Sequence, residues 1–348
     1  KGFRFDLMGL IDTGTMNAVK AALNNIDPDI VVYGEPWAAA STATTATMST
    51  TGQVYSSLVG VGAFNDGGRN GIRGENSWSG NQYGWMQKGE ADNLADGTFI
   101  NRVKGMMTGM NGSYYAYNQW DPSKTINYAS CHDNLTLYDQ LSGTVALADA
   151  PKASVAVNST VLFSQGIPFI QGGEEIMRSK KADEDDLQGT YYLINGVKIS
   201  HNSYMAGDSV NAYQWQNKVT YKTYFDRYVE AIALRKSYNG FRLASAANIG
   251  RQYVQGDETI RMGFFDGALA YSTIAAWYTG RPGETSKAVY VFVNAREVVT
   301  SGSLRSIISW GTGNVKVLYD STGARDPGTM IADTVTLSSY SVLVVERQ

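Results

Sequence analysis

Two carboxylates close short apolar segments near the start of the sequence. Asp6 lies two residues after Arg4, and Glu35 stands directly before Pro36 and Trp37. Residues two apart in a strand share a side, so the Arg4 guanidinium should keep Asp6 ionised. Apolar neighbours should raise the pKa of Glu35 and favour its protonated form. One ionised and one protonated carboxyl group is the pair that glycoside hydrolysis requires. Alone, Arg4 and Asp6 fit a structural salt bridge better.

A third polar pair, His132 and Asp133, closes another strand-like segment. A neutral imidazole and a carboxylate can both bind sugar hydroxyls, and a further carboxylate can stabilise an oxocarbenium-like transition state. Alone, such a pair is better explained as a satisfied polar cap. Three acids at three strand ends favour the catalytic interpretation.

The elements that must position these acids follow one another as strand, helix and strand. Gly2–Leu7 predicts a strand, and residues 16–26 carry apolar side chains at helical spacing behind a cap at Asp12 or Thr13. Ile30–Tyr33 predicts the second strand. A βαβ unit makes the two strands parallel, so the acids at their ends should meet across one pocket.

The alternation of strands and helices continues to about residue 240, which predicts an α/β architecture. Further strands are predicted at Gly62–Asn65, Thr125–Ser130 and Ile167–Gln171, and helices at Phe99–Met107, Ala153–Ser164 and Tyr221–Lys236. The remainder predicts a small all-β domain. Its strand-like segments are Ile260–Phe265, Ala288–Val293, Val315–Tyr319 and Val335–Val345. We therefore predict two domains, residues 1–241 and 242–348.

Composition excludes several classes of protein. Hydrophobic residues make up 43% and charged residues 18% of the 348, which excludes a disordered chain. A net charge of −3 without a basic run argues against nucleic acid or an anionic membrane as partner. Cys131 is the single cysteine, which excludes a disulfide framework and a cysteine-cluster metal site. No stretch reaches the ~18 apolar residues of a membrane span. Low cysteine use fits a secreted and a cytoplasmic protein equally.

Several motifs resemble those of the alpha-amylase superfamily of glycoside hydrolases and occur in the same order along the chain. Their residues are most similar to those of type I pullulanases. The three main ones are Gly2–Gly9, Tyr33–Trp37 and Ser130–Leu137. Supporting segments are Ala63–Asp66, Arg69–Gly74, Ser164–Glu175 and His201–Tyr204, with Asp208 and Asn211. The resemblance runs over roughly residues 1–240.

The resemblance implies a (β/α)8 TIM barrel, of which this chain supplies about the fourth to eighth βα units, followed by a C-terminal all-β sandwich. It also implies a retaining mechanism on α-1,6 branch linkages in pullulan and in limit dextrins of starch or glycogen. Asp6 would be the nucleophile, and Glu35 the general acid and base. Asp133 would bind the distorted sugar, while Arg4 and His132 orient nucleophile and sugar. The two catalytic carboxyls would lie ~5–5.5 Å apart.

Each of the remaining candidate residues has a functional and a structural interpretation. Trp37 could be a platform for a sugar ring or a core tryptophan, with equal weight. Asn202, Tyr204 and Asp208 resemble a subsite loop, but Met205 replaces the expected asparagine, which slightly favours a structural role. Two further acids at a strand end could line the pocket or lie on the surface, namely Glu174 and Glu175.

The superfamily's first motif and the Tyr/Trp-rich marker of type I pullulanases are absent. We expect the chain to be a segment of a longer protein, and residues 1–348 alone to be inactive or poorly folded. An α-1,4-acting member of the superfamily and a non-catalytic glucan-binding protein on a decayed fold are the alternatives. A dinucleotide-binding protein ranks last, because no G-x-G-x-x-G follows the first strand. The chemistry needs no cofactor and no catalytic metal, although a structural calcium could bind near Ala182–Asp186.

Overall fold

A computed structural model describes most of the chain. The described residues are 1–38, 46–75, 83–89, 98–114, 116–182, 191–243, 246, 249, 262–264, 273–278, 288–304 and 314–347. Among them, no helix has the length and apolar character needed to cross a bilayer.

A five-stranded parallel sheet organises the first part of the chain. Its strands follow the order of the sequence: β1 (Gly2–Phe5), β2 (Val31–Gly34), β3 (Val61–Phe64), β4 (Thr125–Asn127) and β5 (Ile167–Pro168). Every neighbouring pair is parallel. The carboxyl ends of all five strands therefore lie at one edge, where the candidate acids should meet.

Helices connect these strands and follow the last of them. They are α1 (Thr13–Asn24), α2 (Thr51–Ser56), α3 (Asp66–Arg73), α4 (Thr98–Met107), α5 (Leu137–Ser142), α6 (Ala150–Leu162), α7 (Asp208–Asn211), α8 (Asn217–Thr220) and α9 (Lys222–Ser237). Asp12 caps α1, because its Oδ1 accepts from Thr15 N at 2.8 Å, as predicted. Met16 of α1 packs on Val32 and Val61, which joins this helix to β2 and β3.

The other side of the parallel sheet carries a cluster of aromatic side chains. Phe64 contacts Tyr33, Tyr128 and Phe169, with ring centroids 4.9–5.5 Å apart. These rings come from β2, β3 and the ends of β4 and β5. They form an apolar base directly below the edge where the acids lie.

The second part of the chain is antiparallel. A six-stranded sheet has the order β13 (Met330–Ile331), β12 (Val315–Asp320), β15 (Ser341–Arg347), β10 (Val289–Asn294), β9 (Thr273–Tyr278) and β8 (Met262–Phe264). A separate pair joins β11 (Thr300–Ser303) to β14 (Thr334–Leu337). Val335 and Leu337 of this pair pack with Tyr290 and Phe292 of the larger sheet. The described part of this tail consists mainly of strands, in agreement with the predicted β-rich region, and the division at residue 241 stays a prediction.

Buried contacts join the helices to the antiparallel sheet. Ser159 of α6 shares a hydrogen bond of 2.6 Å with the hydroxyl of Tyr319, and Tyr278 donates to the carbonyl of Phe163 at 2.7 Å. Side chains of both parts share one continuous core cluster. The sheet and the helices therefore stabilise each other.

Several predicted elements differ from the structure. The segment Val335–Val345 is two strands, β14 and β15, because the chain turns at Tyr340 with a positive φ of 44°. Strand β9 and the hairpin β6 (Tyr191–Ile194) and β7 (Val197–Ser200) were not predicted. The hairpin lies inside a stretch that the sequence pattern assigned to no element.

Candidate active site

The first strand ends in an exposed carboxylate. Asp6 follows β1, and its side chain is 69% exposed. Arg4 Nη1 donates to Asp6 Oδ1 at 2.5 Å, as expected for two residues on one side of a strand. The backbone turns at Leu7, whose φ is 46°. This turn leaves Asp6 accessible to solvent. The positively charged guanidinium of Arg4 lies beside its carboxylate.

The carboxylate at the end of the second strand is buried. Glu35 is 9% exposed at its side chain, and its Oε1 accepts from Arg4 Nη2 at 2.6 Å. Its Oε2 accepts from the backbone N–H of Leu7 at 2.9 Å. Burial raises the pKa of Glu35, although the bonds from Leu7 and Arg4 oppose the rise. One guanidinium thus holds an exposed and a buried carboxylate side by side.

A cavity of about 200 Å³ opens beside Glu35. Asp133 lines it, and its charge also raises the pKa of Glu35. The side chain of Asp133 is 38% exposed, and His132 Nε2 lies 3.6 Å from its Oδ2. The structure therefore brings together the three predicted acids, Arg4 and His132.

Six further residues that line this cavity were assigned no role from the sequence, and three of them, Asp66, Arg69 and Tyr128, bond to one another. Arg69 Nη1 lies 3.1 Å from Asp66 Oδ1 and donates to the hydroxyl of Tyr128 at 2.6 Å. The Tyr128 hydroxyl in turn bonds to Asp66. The sequence did contain a signal for Asp66. This residue follows β3 and Asn65, the N-cap of α3, and the other acids also follow strand ends. The segment after the third strand thus contributes to the cavity, as do the segments after the second and fourth strands.

The remaining predicted residues lie in different settings. Trp37 lines the cavity and also packs partly buried against the aromatic cluster, so both interpretations keep support. Asn202 and Tyr204 are exposed on a separate loop, where Tyr204 is 77% exposed, and Asp208 is exposed at the start of α7. Within the described part of the chain, none of these three lines the cavity.

Glu174, whose position was left open, is buried, with 5% of the residue exposed. The surface interpretation of this acid was therefore wrong. It lies behind the cavity rather than in its wall, where its carboxyl contacts Ser130 and Asn158.

One group of three potential metal ligands occurs among the described residues. Cys131, His132 and Asp133 are consecutive, and their ligand atoms lie within 4.8 Å of one another. Adjacent residues come this close without a metal. The segment considered for calcium, Ala182–Asp186, falls outside the described residues apart from Ala182 itself.

Known proteins resemble the chain in sequence and in fold. No protein-family model matches it. The pullulanase of Bacillus subtilis (strain 168) is 31% identical over 254 residues, which cover 72% of this chain and 32% of that protein. The pullulanase of Klebsiella pneumoniae is 28% identical over 245 residues, 59% of this chain and 22% of that protein. The chain thus spans a third or less of the length of these curated relatives.

Solved structures extend the similarity to the whole chain. The pullulanase from Bacillus acidopullulyticus superposes with a TM-score of 0.78 at 28% identity, over 99% of this chain and 37% of that one. The pullulanase from Anoxybacillus sp. LM18-11, complexed with maltotetraose, gives 0.77 at 26% identity, over 100% and 44%. Together with the curated relatives, these structures identify the chain as a pullulanase-like portion of the alpha-amylase family.

Proposed function

We propose that this chain carries the catalytic carboxylates of a retaining glycoside hydrolase that cleaves α-1,6 branch linkages in pullulan and in limit dextrins. The main support for this proposal is that the Arg4 guanidinium binds both the exposed Asp6 and the buried Glu35. Burial raises the pKa of Glu35, which suits the proton donor, and the exposed position of Asp6 beside Arg4 suits the nucleophile. Two carboxyls bound to one guanidinium also favour the short separation of a retaining enzyme, ~5–5.5 Å.

The first chemical step uses both carboxyls. Asp6 attacks the anomeric carbon, while Glu35 transfers its proton to the departing glycosidic oxygen. A glycosyl ester to Asp6 results. Burial supports the role of Glu35, because a raised pKa keeps more of it protonated at neutral pH.

The second step returns the enzyme to its starting state. Glu35, now ionised, accepts a proton from water, and the oxygen of that water attacks the anomeric carbon and releases Asp6. Asp133 would bind hydroxyls of the sugar bound to Asp6, and its place in the cavity wall supports this. His132 would bind a neighbouring hydroxyl, and Trp37 would pack on a sugar face.

The architecture fits the same proposal. The curled five-stranded sheet would supply about the fourth to eighth units of a (β/α)8 barrel, and the antiparallel sheets its C-terminal sandwich. The partner would be an α-glucan, because two Anoxybacillus pullulanase structures were solved with maltotetraose and maltotriose. Acid, base and nucleophile all come from side chains, so the proposed reaction requires no cofactor.

The product profile on pullulan tests this function. The assay uses the full product of the gene that encodes this chain. We expect maltotriose from the wild type and none from Asp6→Asn, which keeps the shape of the side chain but removes the nucleophile.

Other products would correct the proposal in defined ways. Panose or isopanose would move the specificity to α-1,4 linkages and keep the mechanism. Maltotetraose binding without hydrolysis by the full gene product would favour the non-catalytic glucan-binding protein.

A further inference from the structure

A buried polar cluster lies directly behind the cavity, and the proposed mechanism does not use it. Its centre is Glu174, in the segment that follows β5. One carboxyl oxygen of Glu174 contacts the hydroxyl of Ser130, and the other accepts from Asn158 Nδ2 at 3.0 Å. Ser130 Oγ also lies 3.0 Å from Gln171 Oε1. Both Glu174 and Ser130 are buried.

The number of protons available in this cluster indicates whether the carboxyl of Glu174 is protonated. Ser130 has one hydroxyl proton, but its oxygen contacts two acceptor atoms, the amide oxygen of Gln171 and the carboxyl of Glu174. If Ser130 donates to Gln171, the short contact to Glu174 needs a proton from the carboxyl. A neutral carboxylic acid supplies that proton, and both hydrogen bonds are then satisfied.

The surroundings of Glu174 favour the same state. Burial raises its pKa to about 8. The titratable groups that face it are Arg73 of α3, Glu175 of its own segment and Tyr228 of α9. The hydrogen bonds with Ser130 and Asn158 and the charge of Arg73 oppose the rise, and the charge of Glu175 adds to it. Tyr228 stays neutral because burial raises its own pKa well above the usual value.

The cluster forms hydrogen bonds with the segment that carries Asp133. Residues 128–133 run from the end of β4 to the cavity, and we name them the β4 arm. Tyr128 bonds to Asp66 and Arg69 on the cavity side, and the carbonyl of Ala129 accepts from Arg73. Ser130, three residues before Asp133, is held by Glu174 and Gln171.

We propose that Glu174 is a positioning residue whose neutral carboxylic acid donates to Ser130 and thereby fixes the β4 arm, with Asp133 at its tip. The role in catalysis rests on the proposed function, whereas the hold on the arm does not. When Glu174 loses its proton, two acceptors compete for the single proton of Ser130. The arm then loses one of the two hydrogen bonds at Ser130 and moves more freely.

The β4 arm contains its own reporter. Cys131 is the single cysteine of the sequence, lies between Ser130 and His132, and is partly exposed. Its rate of reaction with an aromatic disulfide reagent measures how often the arm opens. Burial raises the pKa of the Cys131 thiol, so the thiolate fraction of each variant is titrated, and each rate is divided by that fraction before rates are compared at one pH.

The experiment compares wild type with Glu174→Gln, Glu174→Ala and Ser130→Ala. Measurements are made at about pH 7 and about pH 9, on either side of the transition. At the lower pH we expect Glu174→Gln to react at the wild-type rate, because an amide also donates to Ser130, and the two alanine variants to react several-fold faster. At the higher pH we expect the wild type to react several-fold faster than Glu174→Gln. Asp226→Asn, which removes an exposed carboxylate of α9, should follow the wild type at both pH values.

Two outcomes would overturn the inference. One is a ratio of wild type to Glu174→Gln that is the same at both pH values. The other is Glu174→Ala and Ser130→Ala reacting at the wild-type rate at the lower pH while keeping the wild-type circular dichroism spectrum. Neither readout depends on glucan hydrolysis, so a chain that shows the expected rates but cleaves no glucan would reject the proposed function alone.

Where the protein hydrolyses pullulan, kinetics test the catalytic consequence. We expect wild-type kcat to fall as pH rises through about 8, with an added loss of several-fold relative to Glu174→Gln. KM should change less, because the arm positions Asp133 for the distorted sugar of the transition state. Equal alkaline losses in both proteins would show that the β4 arm does not limit turnover.

Discussion

The buried carboxyl of Glu35 and the guanidinium of Arg4 lie 2.6 Å apart, across two neighbouring parallel strands. The same guanidinium reaches Asp6 with its other terminal nitrogen. This contact connects the electrostatics of the two proposed catalytic groups, because any change at Arg4 acts on both. It also makes their relation testable.

Arg4→Lys keeps the positive charge but loses the planar fork that binds two carboxylates at once. We expect kcat/KM on pullulan to fall about 10- to 100-fold through misplacement of Asp6. Arg4→Ala also removes a charge that lowers the pKa of Glu35, so that pKa rises and the alkaline limb of the pH profile moves to higher pH. Lys1→Ala, which removes an exposed ion pair with Asp27, should change neither quantity. An unmoved alkaline limb in Arg4→Ala would contradict this coupling.

Glu35→Gln removes the proton donor without changing its shape. We expect kcat on pullulan to fall about 10²–10⁴-fold, the usual contribution of general acid catalysis. A maltosyl fluoride needs no proton on its leaving group, so the first step with that substrate should lose far less. Parallel assays of pullulan and the maltosyl fluoride with this variant measure the two losses. Equal losses on both would assign Glu35 to sugar binding rather than to proton transfer.

Gly9 fixes the approach of the β1 turn to the segment after β2. A Cβ at Gly9 would lie 2.0 Å from the carbonyl oxygen of Trp37, and Gly9 N donates to the carbonyl of Glu35 at 2.8 Å. We expect Gly9→Ala to lower the free energy of unfolding by about 1–3 kcal/mol, because backbone must move. Denaturant unfolding measures this loss. Gly52→Ala is the matched control, since its Cβ would meet nothing within 4 Å and the residue lies in α2. A helical alanine should raise stability by at most about 1 kcal/mol.

Arg235 of α9 joins two helices through backbone carbonyls. Its guanidinium donates to the carbonyls of Leu162, Ser164 and Gly166 at 2.5–2.8 Å, where α6 ends. Arg235→Met leaves these buried acceptors without their donor, so we expect a loss of about 3–5 kcal/mol in thermal or denaturant unfolding. Lys236→Ala, at the exposed neighbouring position, should change stability by less than about 0.5 kcal/mol. Equal effects of the two substitutions would show that Arg235 does not hold α6.

Local patterns predicted the strands and helices that place Asp6, Glu35 and Asp133. Side-chain alternation, capping and the parallel order of a βαβ unit are properties of short segments, and they were enough to bring three strand ends together. Asp12 capped α1 as predicted for the same reason. Short-range signals failed at Tyr340, where one apolar run divides into two strands that pair with different partners.

The sequence by itself predicted the candidate catalytic residues and the edge of the sheet at which they lie. Only the tertiary structure decided how deeply each is buried and what holds it. Asp6 is exposed and Glu35 buried because residues distant in sequence cover one and not the other. In the same way, Arg4 reaches Glu35 across the sheet, Arg69 joins Asp66 to Tyr128, and Glu174 is buried among side chains from three other segments. Burial and pKa depend on these long-range neighbours, which no local pattern contains.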